Sequence, residues 1–230
     1  DVYKRQDRAQ VIPMEPDQAG ARTMLDLPAA APVVAILPGS RMSELKYNAV
    51  AFVAAAKILL QRDANLRIVA PMAGAAQRRY FEELIAQAGL QDVPVQILDG
   101  QSHRALAAAD AVLVASGTAS LEVALFKRPM VIAYKMMSAS WHILRHMAYQ
   151  PWIGLPNILA QEFLVPELLQ DAATPQALAD ALWPQLQDSA LRERLQRRFT
   201  EMHHSLLRDT AGESARAVME LIEQSRSGRV

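Results

Sequence analysis

Two short polar segments follow apolar runs in this chain, and their residue types suit the binding of a phosphate group. Gly39-Ser40-Arg41 comes after the run 33–37, and Ser116-Gly117-Thr118 comes after the run 111–115. Apolar runs of this length are typical of buried strands. A helix that begins after such a turn presents free backbone N–H groups and the positive end of its dipole, which both attract anions. Arg41 could add a bidentate contact to a phosphate and stabilise the charge on a departing nucleoside diphosphate.

Glu122 lies about one helical turn after the second segment, where its carboxylate could reach the hydroxyls of a sugar next to a bound phosphate. Thr118 or Ser116 could cap the helix that begins there. The same spacing also fits an ordinary strand-to-helix connection with a solvated Glu122, and Arg41 also fits a surface arginine on a loop. The pattern alone therefore predicts a phosphate and sugar site while leaving the structural alternative open.

Asn157, in Gly154-Leu155-Pro156-Asn157, is a further candidate because its loop should lie near the same edge of the sheet. Its amide could bind a sugar hydroxyl or a phosphate oxygen, and the alternative is a turn asparagine that satisfies its own backbone. Among the five histidines, His142 and His146 have the spacing of metal ligands on one helix but lack a third ligand. We interpret the histidines as structural or solvated residues.

Several classes of function are excluded by what the sequence lacks. The chain has no Cys and a formal net charge of zero, so it offers no thiolate chemistry and no general attraction to nucleic acid. A dinucleotide fingerprint, a P-loop and an H-E-x-x-H motif are all missing from it. We therefore expect no metal, no cofactor and no nucleic-acid partner.

Strands and helices alternate from residue 33 onward, which predicts a doubly wound α/β domain with a parallel sheet. Ligands of such sheets bind outside the carboxyl ends of the strands, where both polar segments fall. The predicted strands are 33–37, 66–70, 93–98, 111–115 and 130–134, and the helices between them are 44–61, 75–88, 102–109 and 118–127. Further helices are predicted at 138–149, 161–170, 175–187, 189–206 and 209–225.

The predicted domain organisation has three parts. Residues 1–31 are expected to be a linker or a remnant of a missing N-terminal domain, 32–188 a Rossmann-like domain, and 189–230 C-terminal helices. No apolar run approaches the roughly 20 residues that span a bilayer, and the N-terminus lacks the apolar core of a signal peptide. We expect a cytoplasmic protein that can associate with a membrane surface.

The same residues resemble a known family, lipid-A-disaccharide synthase, over about residues 32–190 and more faintly to the end. The motifs that carry the resemblance are Leu37-Pro38-Gly39-Ser40-Arg41-x-x-Glu44, Ser116-Gly117-Thr118-Ala119-Ser120-Leu121-Glu122, Phe126-Lys127-Arg128-Pro129-Met130, Gly154-Leu155-Pro156-Asn157 and Val165-Pro166-Glu167-Leu168-Leu169-Gln170-Asp171. The resemblance implies an inverting, metal-independent glycosyltransferase of the GT-B type, which has two Rossmann-like domains. The family transfers diacylglucosamine from UDP-2,3-diacylglucosamine to 2,3-diacylglucosamine 1-phosphate and releases UDP.

The resemblance places this chain in the C-terminal, donor-binding half of that enzyme. It implies that the catalytic base lies in an N-terminal half, so the catalytic residue in this chain is unknown and the chain alone should be inactive. The implied partners are the UDP-sugar, the lipid acceptor, the missing N-terminal domain, the inner-membrane surface and a second copy in a homodimer. The implied substrate-binding residues are Gly39, Ser40, Arg41, Glu44, Ser116, Gly117, Thr118, Ala119, Ser120, Glu122 and Asn157.

Two other functions fit the same pattern. One is a different UDP-sugar enzyme of similar architecture, such as a lipid II-type transferase or a UDP-sugar epimerase. The other is a non-catalytic UDP-binding module that keeps the phosphate contacts without the chemistry. Preference for one UDP-sugar over another distinguishes a different UDP-sugar enzyme from lipid-A-disaccharide synthase. A turnover assay distinguishes a non-catalytic UDP-binding module from either enzyme.

Overall fold

A six-stranded parallel sheet forms the centre of the molecule, in the strand order β3-β2-β1-β4-β5-β6. The structure of the chain is a computed structural model that describes residues 8–115, 117–136 and 151–207. The strands are β1 (Val33–Leu37), β2 (Arg67–Met72), β3 (Val95–Asp99), β4 (Ala111–Ala115), β5 (Met130–Tyr134) and β6 (Glu167–Leu169). The strand order reverses between β1 and β4, and this places a crevice at their carboxyl ends.

Helices cover both faces of this sheet. They are α1 (Gln18–Met24), α2 (Met42–Arg62), α3 (Ala75–Gln87), α4 (Ser102–Ala108), α5 (Thr118–Leu125), α6 (Leu155–Ala160), α7 (Pro175–Gln187) and α8 (Ser189–Leu207), with a 3-10 turn at Gln170–Ala172. No helix in the part of the chain that the structure describes is long and apolar enough to cross a membrane.

Two apolar cores lie on opposite faces of the sheet, because successive strand residues point to opposite sides. Val33 and Ala35 of β1 pack with α4, α5 and α8 in one core. Val34 and Ile36 pack with α2, α3 and α7 in the other. The central strands β1 and β4 are buried along their whole length, so they hold the turns at their carboxyl ends in fixed positions.

The doubly wound parallel fold predicted from the sequence is confirmed, with four differences in its elements. The loop expected around Asn157 is the helix α6, whose first turn contains Pro156, a residue suited to that position. A sixth strand, β6, was not predicted, and the predicted helix over 161–170 is wrong because this segment contains β6 and the start of the 3-10 turn. Within the segment 1–31, which shows no periodicity, α1 forms and packs against α4. The predicted helices 138–149 and 209–225 lie outside the described residues, and the division into three parts stays a prediction.

Candidate functional site

A cavity of about 500 Å³ opens at the carboxyl ends of β1 and β4, where the strand order reverses. The ends of β2 and β3 contribute Pro71, Met72, Ala73 and Gly100 to its wall. This crevice is where ligands of doubly wound sheets bind. The predicted site residues that line it are Gly39, Ser40, Arg41, Glu44, Gly117, Thr118, Ala119 and Glu122.

The first turn folds around the side chain of Glu44. Its carboxylate accepts hydrogen bonds from the backbone N–H groups of Ser40 (3.2 Å) and Arg41 (3.4 Å) and from Nη1 of Arg41 (2.8 Å). Gly39 has a φ of +127°, and a Cβ atom there would lie 2.6 Å from Cβ of Glu44. The turn therefore requires glycine, and it leaves the Arg41 side chain 78% exposed at the edge of the cavity.

The second turn leads into α5, and no side chain of the described residues caps this helix. Gly117 is the N-cap residue, so the prediction that Thr118 or Ser116 caps this helix is wrong for Thr118, while Ser116 lies outside the described residues. A glycine cap has no side-chain oxygen to accept from the first N–H groups of the helix. These donors and the positive end of the dipole of α5 therefore face the cavity. Ser120 is buried and does not line the cavity, because its hydroxyl donates to the carbonyl of Gly117 at 2.7 Å.

Glu122 is buried on α5, and its carboxylate forms an ion pair with the guanidinium of Arg8. Arg8 also lines the cavity, which makes it a site residue that the sequence analysis missed. Nothing in the pattern could have revealed it, because the surrounding segment has no motif or periodicity. His103 Nε2 lies 3.9 Å from the other carboxylate oxygen, and burial together with the charge of Arg8 lowers the pKa of this histidine. A neutral imidazole is therefore favoured beside the pair.

Asn157 does not line this cavity, which corrects its expected position at the site. Its side chain donates to the carbonyl of Val165 at 2.9 Å and to Glu167 Oε1 at 2.8 Å, and it accepts from the N–H of Val165 at 2.9 Å. Glu167 also accepts from the N–H groups of Ile153 and Gly154, so the Gly-Leu-Pro-Asn motif is held onto β6. Asn157 is fully buried and its amide is already hydrogen-bonded within the protein, so we do not assign it to the ligand site.

No cluster of three or more side chains that could hold a metal ion occurs among residues 8–115, 117–136 and 151–207. The cavity instead combines backbone donors, two guanidinium groups and two carboxylates. Such a set can hold a phosphate with N–H donors and arginine, and hydroxyl groups with carboxylates.

Comparison with known protein families shows the family to which this chain is related. Residues 9–220 match the family described as Lipid-A-disaccharide synthetase. The chain belongs to the lipid-A-disaccharide synthase family. The lipid-A-disaccharide synthase of Paraburkholderia phymatum is 50% identical over 229 residues, which cover 99% of this chain and 58% of that protein. That of Aromatoleum aromaticum is 46% identical over 217 residues, covering 94% of this chain and 56% of that protein.

The chain therefore spans somewhat more than half the length of the curated relatives it matches, and it corresponds to their C-terminal half. Among solved structures, the C-terminal domain of a group 1 glycosyl transferase from Francisella tularensis is similar with a TM-score of 0.60 and 16% identity, covering 86% of this chain and 96% of that chain. At this identity the likeness shows the fold alone. It agrees with the Rossmann-like domain described above.

Proposed function

We propose that this chain is the donor-binding half of a lipid-A-disaccharide synthase and that its cavity binds UDP-2,3-diacylglucosamine. The observation that carries the proposal is the crevice between β1 and β4, where the Gly39–Arg41 turn and the glycine N-cap of α5 face one space of about 500 Å³. Family membership supports the identity of the sugar nucleotide. The likeness of the fold to the Anabaena protein HepE, solved with UDP and glucose, agrees with a donor of this class (TM-score 0.55, 19% identity, 86% of this chain and 52% of that chain).

In this proposal the diphosphate lies over the first turn of α5, and Arg41 reaches it from the mouth of the cavity. Arg41 is the mobile partner because most of its side chain is exposed and its only described ion pair, with Glu44, is a surface one. Glu122 accepts from the ribose hydroxyls further along α5. Arg8 neutralises Glu122, so the charge of this carboxylate does not repel the diphosphate.

In the reaction, we assign to this chain the role of stabilising the departing UDP. When the acceptor hydroxyl attacks the anomeric carbon, the bond from that carbon to the diphosphate oxygen breaks and negative charge accumulates on UDP. Donors of α5 and Arg41 are placed to stabilise this charge. The proton of the acceptor hydroxyl must go to a general base, which we assign to the N-terminal half of the relatives, outside the region that this chain matches. We further propose that the assembled protein works in the cytoplasm at the inner-membrane surface, and that a homodimer is one of its arrangements.

Calorimetric titration with UDP tests the donor site. We expect Arg41→Ala to weaken UDP binding by about 1.5–3 kcal/mol, the usual contribution of a hydrogen bond to a charged group. Lys46→Ala is the matched control, because Lys46 is an exposed cation on α2 outside the cavity lining. Equal affinities for the wild type and both variants would refute the phosphate role of Arg41.

Ligand preference tests the substrate class. In saturation-transfer NMR, we expect UDP-2,3-diacylglucosamine to compete effectively with UDP-N-acetylglucosamine for the same site. Preference for UDP-N-acetylglucosamine would instead favour a lipid II-type transferase or a UDP-sugar epimerase.

A further inference from the structure

A second cavity, of about 370 Å³, lies at the opposite edge of the sheet, and the donor site does not use it. It is bounded by α1, the segment before β1 and the start of α8, and Asp110 and Arg128 enter it just before β4 and β5. A five-residue strand separates the two edges by roughly 17 Å, so this cavity is distinct from the donor site. Its polar lining consists of Gln18, Arg22, Asp110, Arg128, Arg192 and Gln196.

Two of the arginines in this lining are buried. Arg22 and Arg128 are 9% and 8% exposed. Both reach the last carbonyl groups of α4: Arg22 Nε donates to Ala108 at 3.0 Å, and Arg128 donates to Leu106 at 3.1 Å and to Ala107 at 2.7 Å. These contacts hold the two side chains in place, but carbonyl groups neutralise neither charge.

Among the described residues, Asp110 is the one carboxylate in the lining of this cavity, which also contains three guanidinium groups. Asp110 accepts from Arg22 Nη2 at 2.6 Å, from the N–H of Val33 at 2.8 Å and from Gln18 Nε2 at 3.1 Å. The pKa of Arg128 falls to about 10, chiefly through burial and also through the charge of Arg22, although Asp110 opposes the shift. The carboxylate is thus already committed to Arg22 and two other donors, and positive charge is left over in a partly dehydrated space. Buried charge of this kind normally has a partner.

We propose that this cavity binds a phosphate group, held between Arg128 and Arg192. Nη1 of Arg128 makes no hydrogen bond to any residue that the structure describes. Arg192, on α8, approaches from the exposed side, where its Nη1 contacts the carbonyl of Leu186. Planar guanidinium forks match phosphate oxygens bidentately, and a phosphate dianion would balance the excess positive charge. The ligand is free phosphate or the phosphate of a monoester.

Thermal unfolding at rising phosphate concentration and constant ionic strength tests this site. We expect inorganic phosphate to raise the unfolding midpoint, because a ligand that binds only the folded state stabilises it. Arg192→Gln should weaken the apparent affinity roughly tenfold, as expected for the loss of one charge-assisted contact. Arg192 is chosen because it is half-buried on α8, whereas removal of the buried Arg128 could unfold the chain.

Two controls separate the outcomes. Arg197→Gln makes the same change of charge at an exposed position of α8 outside the cavity and should leave the response intact. Arg41→Ala should also leave it intact, because phosphate in the donor site would depend on Arg41. An equal response to glucosamine 1-phosphate supports an ester as occupant, and a response to inorganic phosphate alone supports the free anion. No response, or equal responses in Arg192→Gln and Arg197→Gln, would overturn the proposal. Loss of the response in Arg41→Ala would also overturn it, because the phosphate would then be bound in the donor site.

Discussion

Gly39 constrains the turn at the cavity between β1 and β4 through its backbone conformation and its close approach to Glu44. Its φ of +127° is rarely adopted by residues with a side chain, and the backbone of the turn approaches Glu44 too closely for a Cβ atom. Gly89 also has a positive φ, +69°, but apart from its own chain neighbours no atom of the described residues lies within 4 Å of the position that its Cβ would occupy. A comparison of substitutions at the two glycines therefore distinguishes the cost of backbone strain alone from the added cost of a clash with a neighbouring side chain.

We expect Gly39→Ala to lower the free energy of unfolding by about 3 kcal/mol, since it adds both strain and a clash. Gly89→Ala should cost about 1 kcal/mol, because only the left-handed conformation opposes it. Urea unfolding of both variants measures the difference. A loss at Gly39 no larger than that at Gly89 would show that the turn can move away from Glu44.

The role of Glu122 can be tested by comparing two ligands. Glu122→Gln should weaken UDP binding by about 1.5–3 kcal/mol if its carboxylate accepts from the ribose hydroxyls. It should leave the affinity for inorganic diphosphate unchanged or higher, because the variant leaves the Arg8 guanidinium without its carboxylate partner near the phosphates. Calorimetry with both ligands measures this. Equal losses for the two would point to a folding defect or to a direct effect on the phosphates.

Three segments meet at a buried pair of basic side chains, Lys127 and His203. Lys127 Nζ lies 2.6 Å from Nδ1 of His203 and 3.2 Å from the carbonyl oxygen of Pro13, and Nε2 of His203 lies 2.8 Å from the carbonyl oxygen of Ala9. Because a carbonyl only accepts, Nε2 must carry the proton, and the bare Nδ1 accepts from the lysine. The contacts tie residues 8–13 and α8 to the turn after α5, and the network requires a neutral imidazole.

The stability of the fold should therefore fall in mild acid. Burial lowers the pKa of His203, and the charges of Lys127 and His204 add to this, although the hydrogen bond to Ala9 opposes it. Arg128 faces Lys127 from the same turn, and Arg8 and Glu122 lie on the neighbouring segment and helix. Below the ordinary histidine pKa of 6.5, the unfolded chain binds more protons than the folded chain, so stability is lost as pH falls through the lowered value.

We expect the urea midpoint to drop between about pH 7 and pH 5 and to drop less steeply in His203→Gln, which cannot titrate there. His204→Gln, at the exposed neighbouring position, is the control. Identical slopes in the wild type and His203→Gln would contradict this account.

Lys127 should make stability depend on pH in the alkaline range as well. Its pKa is lowered to about 8, so between about pH 8 and pH 10.5 this lysine is protonated in the unfolded chain and neutral in the folded one, and the free energy of unfolding should rise with pH.

The elements that the sequence predicted well are those with a long apolar run or a helical period. β1 and β4 could be predicted because strands buried on both faces consist of continuous apolar residues, and the turns that follow them could then be assigned. β6 was missed because three half-buried residues at the edge of a sheet carry no period of their own. Asn157 was misplaced for a related reason, since its partners Val165 and Glu167 belong to that unpredicted strand.

At the scale of the whole molecule, three residues near the carboxyl ends of the strands could be considered as bases, Glu44, Asp99 and His103, and each is already occupied or poorly placed. Glu44 holds the first turn, Asp99 is exposed and pairs with Arg78 at 2.9 Å, and His103 lies beside Glu122 rather than in the cavity lining. This chain should therefore bind UDP without catalysing sugar transfer. This follows from the proposed division of the enzyme into a donor half and an acceptor half.

We expect the purified chain to bind UDP and to form no disaccharide from UDP-2,3-diacylglucosamine and 2,3-diacylglucosamine 1-phosphate. Addition or fusion of the N-terminal half of a relative should restore product formation, because the base then lies within hydrogen-bond reach of the acceptor hydroxyl. Product release followed by mass spectrometry measures this. Robust synthesis by the chain alone would return the search for a base to Glu44, Asp99 and His103.

The most direct test of the central claim is a map of backbone amide chemical shifts during titration with UDP. If UDP binds in the crevice between β1 and β4, the largest changes should occur at residues 39–41 and 117–122, with little change at residues 128 and 192 on the opposite edge of the sheet. Arg41→Ala should reduce the affinity without moving the affected region. Changes centred elsewhere, or no saturable change at all, would contradict the account of this chain as a donor-binding domain.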